Sequence, residues 1–144
     1  MKFKVIEFGS ELYKQSVALR EKILRYPLGL HFTSKALEQD KNCIHIVALD
    51  NKKVIGTTVL NPIDKDTIKI TQVAVDYDYR KQNIGKKLME YAEEVSRKRG
   101  YKTAILHARY YVIKFYQKLG YKNIGDEFIE IGIPHLLMIK NISD

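Results

Sequence analysis

The segment from Thr67 to Ala108 limits the fold more than any other part of the chain. It opens with TIKITQVAV (67–75), a β-branched run of strand type. After DYDY comes YRKQNIGKKLMEYAEEV (79–95), a short basic turn that becomes an amphipathic helix. Leu88, Met89, Ala92 and Val95 mark its apolar stripe, and Gly100 ends it. TAILHA (103–108) then reads as a second strand. Two strands joined by one crossover helix run parallel, so all-α and all-antiparallel folds are excluded. The turn falls at the carboxyl end of a strand, where open α/β sheets bind ligands. A helix start also offers unpaired N–H groups and about half a unit of positive dipole charge. An anion would be held there. An ordinary polar helix start explains the same residues, and the stretch alone does not choose.

The flanking elements complete a mixed fold. Residues 2–8 alternate as a strand, and Ser10 can cap a helix from Glu11 to about Arg25. Leu12, Leu19 and Ile23, with Tyr13, Val17 and Leu24, fall at helical spacing, and Pro27 and Gly29 stop it. Residues 26–43 read as polar and irregular. IHIVAL (44–49) and VIGTTVL (54–60) flank DNKK as a hairpin. A second short helix is expected from about Val112 to Leu119, and YKNIG and HLLMIK close the chain as short strands.

The 144 residues imply one domain, 1–144, with enough apolar content for a core without staples. The single cysteine, Cys43, forbids an intrachain disulfide, and no apolar run approaches a membrane span. The N-terminus lacks the apolar core of a signal peptide. The expected location is therefore the cytoplasm, with no membrane partner. The four histidines and Cys43 show no metal-ligand spacing, so no metal is expected. A formal charge of +8 favours acidic partners such as phosphorylated cofactors or nucleic acid. The cations are scattered, with no basic arm, which argues against nucleic acid.

The turn is neither a Walker loop nor a dinucleotide fingerprint, because the required Gly-Lys-Ser/Thr and spaced glycines are missing. Arg80-Lys81-Gln82-Asn83-Ile84-Gly85 instead resembles the Arg/Gln-x-x-Gly-x-Gly/Ala pyrophosphate turn of the GNAT superfamily of N-acetyltransferases. VIKFYQKLGYKNIG (112–125) resembles a second segment of that family, with Tyr116, Gly120 and Tyr121 in register. The tail, through Glu130, Gly132, Ile133, Pro134, His135 and Met138, is similar to the ElaA-like branch. The resemblance spans about residues 44–140.

The resemblance implies a single-domain α/β (α+β) fold. Its mixed, mostly antiparallel sheet would be splayed at the middle, with helices on both faces. It implies acetyl-CoA as co-substrate and acetyl (acyl) transfer to a primary amine of unknown identity. The turn Arg80, Lys81, Gln82, Asn83, Ile84, Gly85 and Lys86 would hold the pyrophosphate, with Lys87 adding charge. The backbone of Val73, Ala74 and Val75 would pair with the pantetheine arm, and an N–H near Val73 would polarise the thioester carbonyl. Tyr116 would be the acid toward the leaving thiolate and a cofactor contact. Arg109 stands where many relatives have Asn or Gln; it could reach a pantetheine carbonyl or a phosphate, or point elsewhere. Asn83 replaces the middle glycine, and asparagine tolerates the positive φ of such a turn.

The base is open. The strand before the turn has Thr71 and Gln72, neither a base, which leaves Glu130, His135 and His107. Plain structural readings stand beside the chemical ones: a salt-bridge partner for Glu130, a histidine after a proline turn for His135, sheet core for Val73 to Val75, and the packed face of an amphipathic helix for Tyr116. Two rival functions stand beside the enzyme: a non-catalytic CoA-binding regulator or sensor, and a basic nucleic-acid-binding domain. The acceptor, whose site falls partly in 26–43, and the oligomeric state are not readable from the sequence.

Overall fold

The computed structural model describes residues 1–144. Seven strands form a sheet in the order β1-β2-β3-β4-β5-β7-β6. They are β1 Lys2–Ile6, β2 Ile44–Asp50, β3 Lys53–Pro62, β4 Thr67–Val75, β5 Thr103–Arg109, β6 Lys122–Glu130 and β7 Ile133–Asn141. Four α-helices accompany them: α1 Glu11–Arg20, α2 Ser34–Glu38, α3 Ile84–Lys98 and α4 Ile113–Lys118. The β4–β5 pairing is parallel, through Thr67↔Thr103, Ile68↔Ala104 and Lys69↔Ile105. This is the crossover unit that the sequence requires. The other described pairings, β1–β2, β2–β3, β5–β7 and β6–β7, are antiparallel. No helix is long and apolar enough to cross a membrane.

The chain packs as two compact units, Met1–Asn61 with Ile70–Glu94, and Pro62–Lys69 with Val95–Asp144. The core of the first joins Ile6, Tyr13, Leu19, Ile23, Val47, Leu49, Val54 and Ala74. Gly56 matters here through what it lacks: a Cβ would stand 3.2 Å from the Ala48 Cβ and 3.5 Å from Ile84 Cγ2. The bare backbone lets the start of α3 seat Ile84 against β3. In the second unit Tyr116 and Tyr121 pack edge to face, with ring centroids 6.0 Å apart.

Three segments depart from the sequence expectation. The helix expected to run from Glu11 to about Arg25 starts on the Ser10 cap, whose Oγ accepts from the Tyr13 amide at 3.2 Å. It remains α-helical only to Arg20. Glu21–Arg25 is a π turn and Tyr26–Leu28 a 3₁₀ turn, closed by Gly29 at φ 72°. The stretch 26–43 is not wholly irregular: Thr33 accepts from the Ala36 amide at 3.1 Å and caps α2. Finally, β6 and β7 are nine residues each rather than short strands. Ile131 and Gly132, at φ 54° and 72°, turn the chain between them. Pro134 therefore lies within β7, opposite Ile129, not in the turn itself.

Candidate active site

In the first unit, the carboxyl end of β4 leads directly into the turn before α3. Gln72 sits in mid-strand with φ 56°, a conformation costly for a side chain without Asn-like tolerance. Its neighbour Thr71 is tied twice to β3. The Thr71 carbonyl accepts from Thr58 Oγ1 at 2.8 Å, and its own hydroxyl donates to the Val59 carbonyl at 2.9 Å. This left-handed residue kinks the strand just before Val73 to Val75. Ala74 is core, and Val73 and Val75 are partly exposed.

Asp76 then ends the strand. Its amide donates to the Ile55 carbonyl at 2.8 Å, and its side chain accepts from the Asp78 amide at 3.1 Å. Burial opposes its charge, but the Asp78 amide and the Lys22 ammonium, 3.4 Å away, outweigh that and hold its carboxyl below the ordinary range. Beyond it the turn has positive φ at both Lys81 (64°) and Asn83 (60°). The Asn83 carbonyl accepts the first helical bond, from the Lys87 amide at 3.0 Å. Ile84 is buried and anchors the helix start, whereas Arg80, Lys81, Gln82, Asn83, Lys86 and Lys87 are exposed and Gly85 partly so. No acidic residue occupies the first turn of α3. Two positive φ values, a helix start with no acidic residue in its first turn, and exposed cations are thus brought together in one place, a combination chemically suited to an anion. The Arg80 guanidinium stacks on Tyr77, 4.5 Å from the ring centre.

A cavity of about 360 Å³ adjoins the kinked strand in the same unit. Arg20, Arg25, Phe32, Asp40, Thr71 and Gln72 are among its walls. Arg20 is 1% exposed and pairs with Asp40 at 2.8 Å. Tyr13 donates its hydroxyl to the same carboxylate oxygen at 3.1 Å, and burial with Asp40 beside it pushes the phenol up to about 12. The imidazole of His45 donates from Nε2 to the Asp40 carbonyl at 2.8 Å, and its burial lowers its pKa. In the sequence the one sign of this assembly is a cation, Arg20, directly after the apolar Leu19 of a helix face.

In the second unit the remaining residues named from sequence fall into two groups. Glu130 Oε2 lies 2.8 Å from His107 Nδ1. Phe128 stands by both histidines, its ring centre 4.9 Å from His107 and 5.9 Å from His135. His135 is 3% exposed and donates from Nδ1 to the Ile133 carbonyl at 2.7 Å, which leaves Nε2 as its acceptor nitrogen. Arg109 lies opposite His135 in the β5–β7 ladder, and its Nη1 donates to the Tyr111 hydroxyl at 3.0 Å. Tyr116 is buried between Phe115 and Tyr121, and burial pushes its phenol up to about 12 against the opposing pull of Arg109.

Comparison with known proteins bears on the fold and the family. The family model described as Acetyltransferase (GNAT) family matches residues 11–121. The Bacillus subtilis protein YyaT is 35% identical over 103 residues, which are 72% of this chain and 69% of YyaT. Among solved structures, Escherichia coli ElaA superposes with a TM-score of 0.85 at 18% identity, over 98% of this chain and 100% of that one. An aminoglycoside 6'-N-acetyltransferase complexed with coenzyme A superposes at 0.82 and 21% identity, over 99% of this chain and 97% of that one. The two structures share the fold, and with the family match they make this chain, the seven-stranded α/β protein described above, an acyltransferase of the GNAT family.

Proposed function

We propose that the protein moves an acetyl group from acetyl-CoA directly to a primary amine. The observation that carries this reading is the turn at Lys81–Asn83, with two positive φ values, opening onto the uncompensated N-terminus of α3. When bound, acetyl-CoA supplies an acetyl group activated as a thioester. The amides from Gln82 to Lys86 hold its pyrophosphate, and Arg80, Lys81, Lys86 and Lys87 add positive charge. Past the kink at Gln72, the backbone of Val73, Ala74 and Val75 binds the pantetheine arm strand-fashion. The Val73 N–H polarises the thioester carbonyl. The structure with coenzyme A named above supports the choice of cofactor.

Tyr116 is the proposed donor toward the departing thiolate. A phenol near 12 keeps its proton throughout the neutral range, so it is always ready to donate and never competes as a base. For the base we propose the histidine–carboxylate group. The Glu130 carboxylate orients the His107 ring, and His135, fixed as the Nδ1–H tautomer, offers Nε2. Arg109 is proposed as a cofactor contact through its guanidinium.

Calorimetry with acetyl-CoA and with acetyl-pantetheine tests the phosphate cradle. Acetyl-CoA is expected to bind at least about a hundredfold more tightly, the worth of two charge-assisted hydrogen bonds. Equal affinities would remove the cradle from the mechanism.

A further inference from the structure

We infer that the cavity beside β4 receives the acceptor, and that it selects small primary amines that also carry an anionic oxyacid group, a carboxylate or a phosphate. The inference rests on the acetyl-transfer reading above and adds the substrate class. Its volume, about 360 Å³, is at the lower end of small-molecule sites, which run from about 300 to 1,000 Å³. Two guanidinium groups and one carboxylate supply the charges of its wall. The carboxylate, Asp40, is already engaged by Arg20 and Tyr13. The wall residues thus bring one more positive than negative charge to the cavity.

The pairing of the two arginines is built in. Five residues along an α-helix leave two side chains about 140° apart. The π turn at Glu21–Arg25 adds a residue to that turn of helix and brings them round to one side. Arg20 and Arg25 accordingly lie over the same ring, 4.6 Å and 4.7 Å from the centre of Phe32. Of the wall residues, Arg20 has in Nε a buried donor without a partner. Gln72 has in Oε1 a buried acceptor without a partner. Gln72 is next in sequence to Val73, whose N–H is assigned to the thioester. Buried polar atoms left unpaired are costly, so both point to a ligand that satisfies them. The complementary molecule puts an amine N–H on Gln72 and an oxyacid oxygen on the arginines.

The test uses the full-length chain and matched pairs of amines: 4-aminobutyrate against butylamine, and phosphoethanolamine against ethanolamine. Release of free CoA thiol reports turnover. The anionic member of at least one pair should show kcat/KM about tenfold or more above its neutral partner, the effect of one charge-assisted hydrogen bond. Which pair responds separates carboxylate from phosphate. Arg25→Gln should erase the preference by raising KM for the anionic amine, with calorimetric affinity for acetyl-CoA unchanged. Neutral amines used equally well or better, or a preference that survives in Arg25→Gln, would overturn the inference and leave acetyl transfer standing. If acetyl-CoA binds but no amine is turned over, the panel is titrated into the acetyl-CoA-loaded protein; no binding of the anionic amines overturns the inference too. Failure to bind acetyl-CoA is a different result and removes the parent reading.

Discussion

Asn83 and Tyr116 show how one residue can carry a testable share of the chemistry. Asn83 holds φ at 60°, and of non-glycine residues asparagine bears that best. Asn83→Gly should therefore keep acetyl-CoA affinity or raise it. Asn83→Val forces a β-branched side chain into the left-handed region, at a cost of about 1–3 kcal/mol. It should weaken cofactor binding about tenfold or more, by calorimetry. An unaffected valine variant would mean that the turn does not hold the pyrophosphate. Tyr116→Phe separates chemistry from packing in the same way. Phenylalanine keeps the buried ring against Phe115 and Tyr121 and removes only the proton. The variant should bind acetyl-CoA normally while kcat falls about ten- to a thousandfold. A core-only tyrosine would instead leave kcat unchanged, or lower kcat and melting temperature together.

The elements divide by how local their causes are. β2, β3, β4 and β5 were legible because β-branched and alternating runs specify a strand within a few residues. β4 even has the expected bounds, Thr67–Val75. The π turn was not legible, since Glu21–Arg25 continues the helical spacing of α1 and only the closing hydrogen bonds differ. α2 was missed because five residues make too short a stretch to show an apolar face. β6 was cut short because it is mostly exposed and has no buried stripe to read. The site divides likewise. Asn83 was legible as a positive-φ residue, whereas Lys81 and Gln72 were not, because neither lysine nor glutamine favours that conformation. The acceptor cavity is the least legible part, its walls coming from α1, the π turn, α2 and β4 at once. That dependence is itself open to test. Thr33→Ala removes the α2 cap, a loss of about 1 kcal/mol. Amide exchange should rise across residues 34–42, and acceptor KM should rise with acetyl-CoA affinity unchanged. A KM that does not move would show that α2 supports the fold without shaping the site.

At the scale of the whole molecule, two buried phenols offer a probe of how the chain holds together. Tyr13 lies in the first compact unit and Tyr116 in the second, and each has its pKa raised to about 12 from 10.0. Raised values mean that the folded chain keeps a proton that the unfolded chain gives up. Below pH 10 both states are protonated and the stabilisation is fully present. Between pH 10 and 12 the unfolded state binds fewer protons, so stability falls as pH rises. For Tyr116, a residue 9% exposed, the rise from 10.0 to about 12 amounts to about 3 kcal/mol. Urea titrations at pH 9 and pH 11.5 should therefore show a loss of stability that shrinks in Tyr116→Phe and shrinks again in the double variant with Tyr13→Phe. The lysines titrate over the same range, but they are common to all three proteins, so the differences isolate the phenols. If the 144 residues unfold as the single domain expected from their length, both substitutions will act on one cooperative transition. Two transitions, each responding to one substitution only, would show instead that the units melt independently.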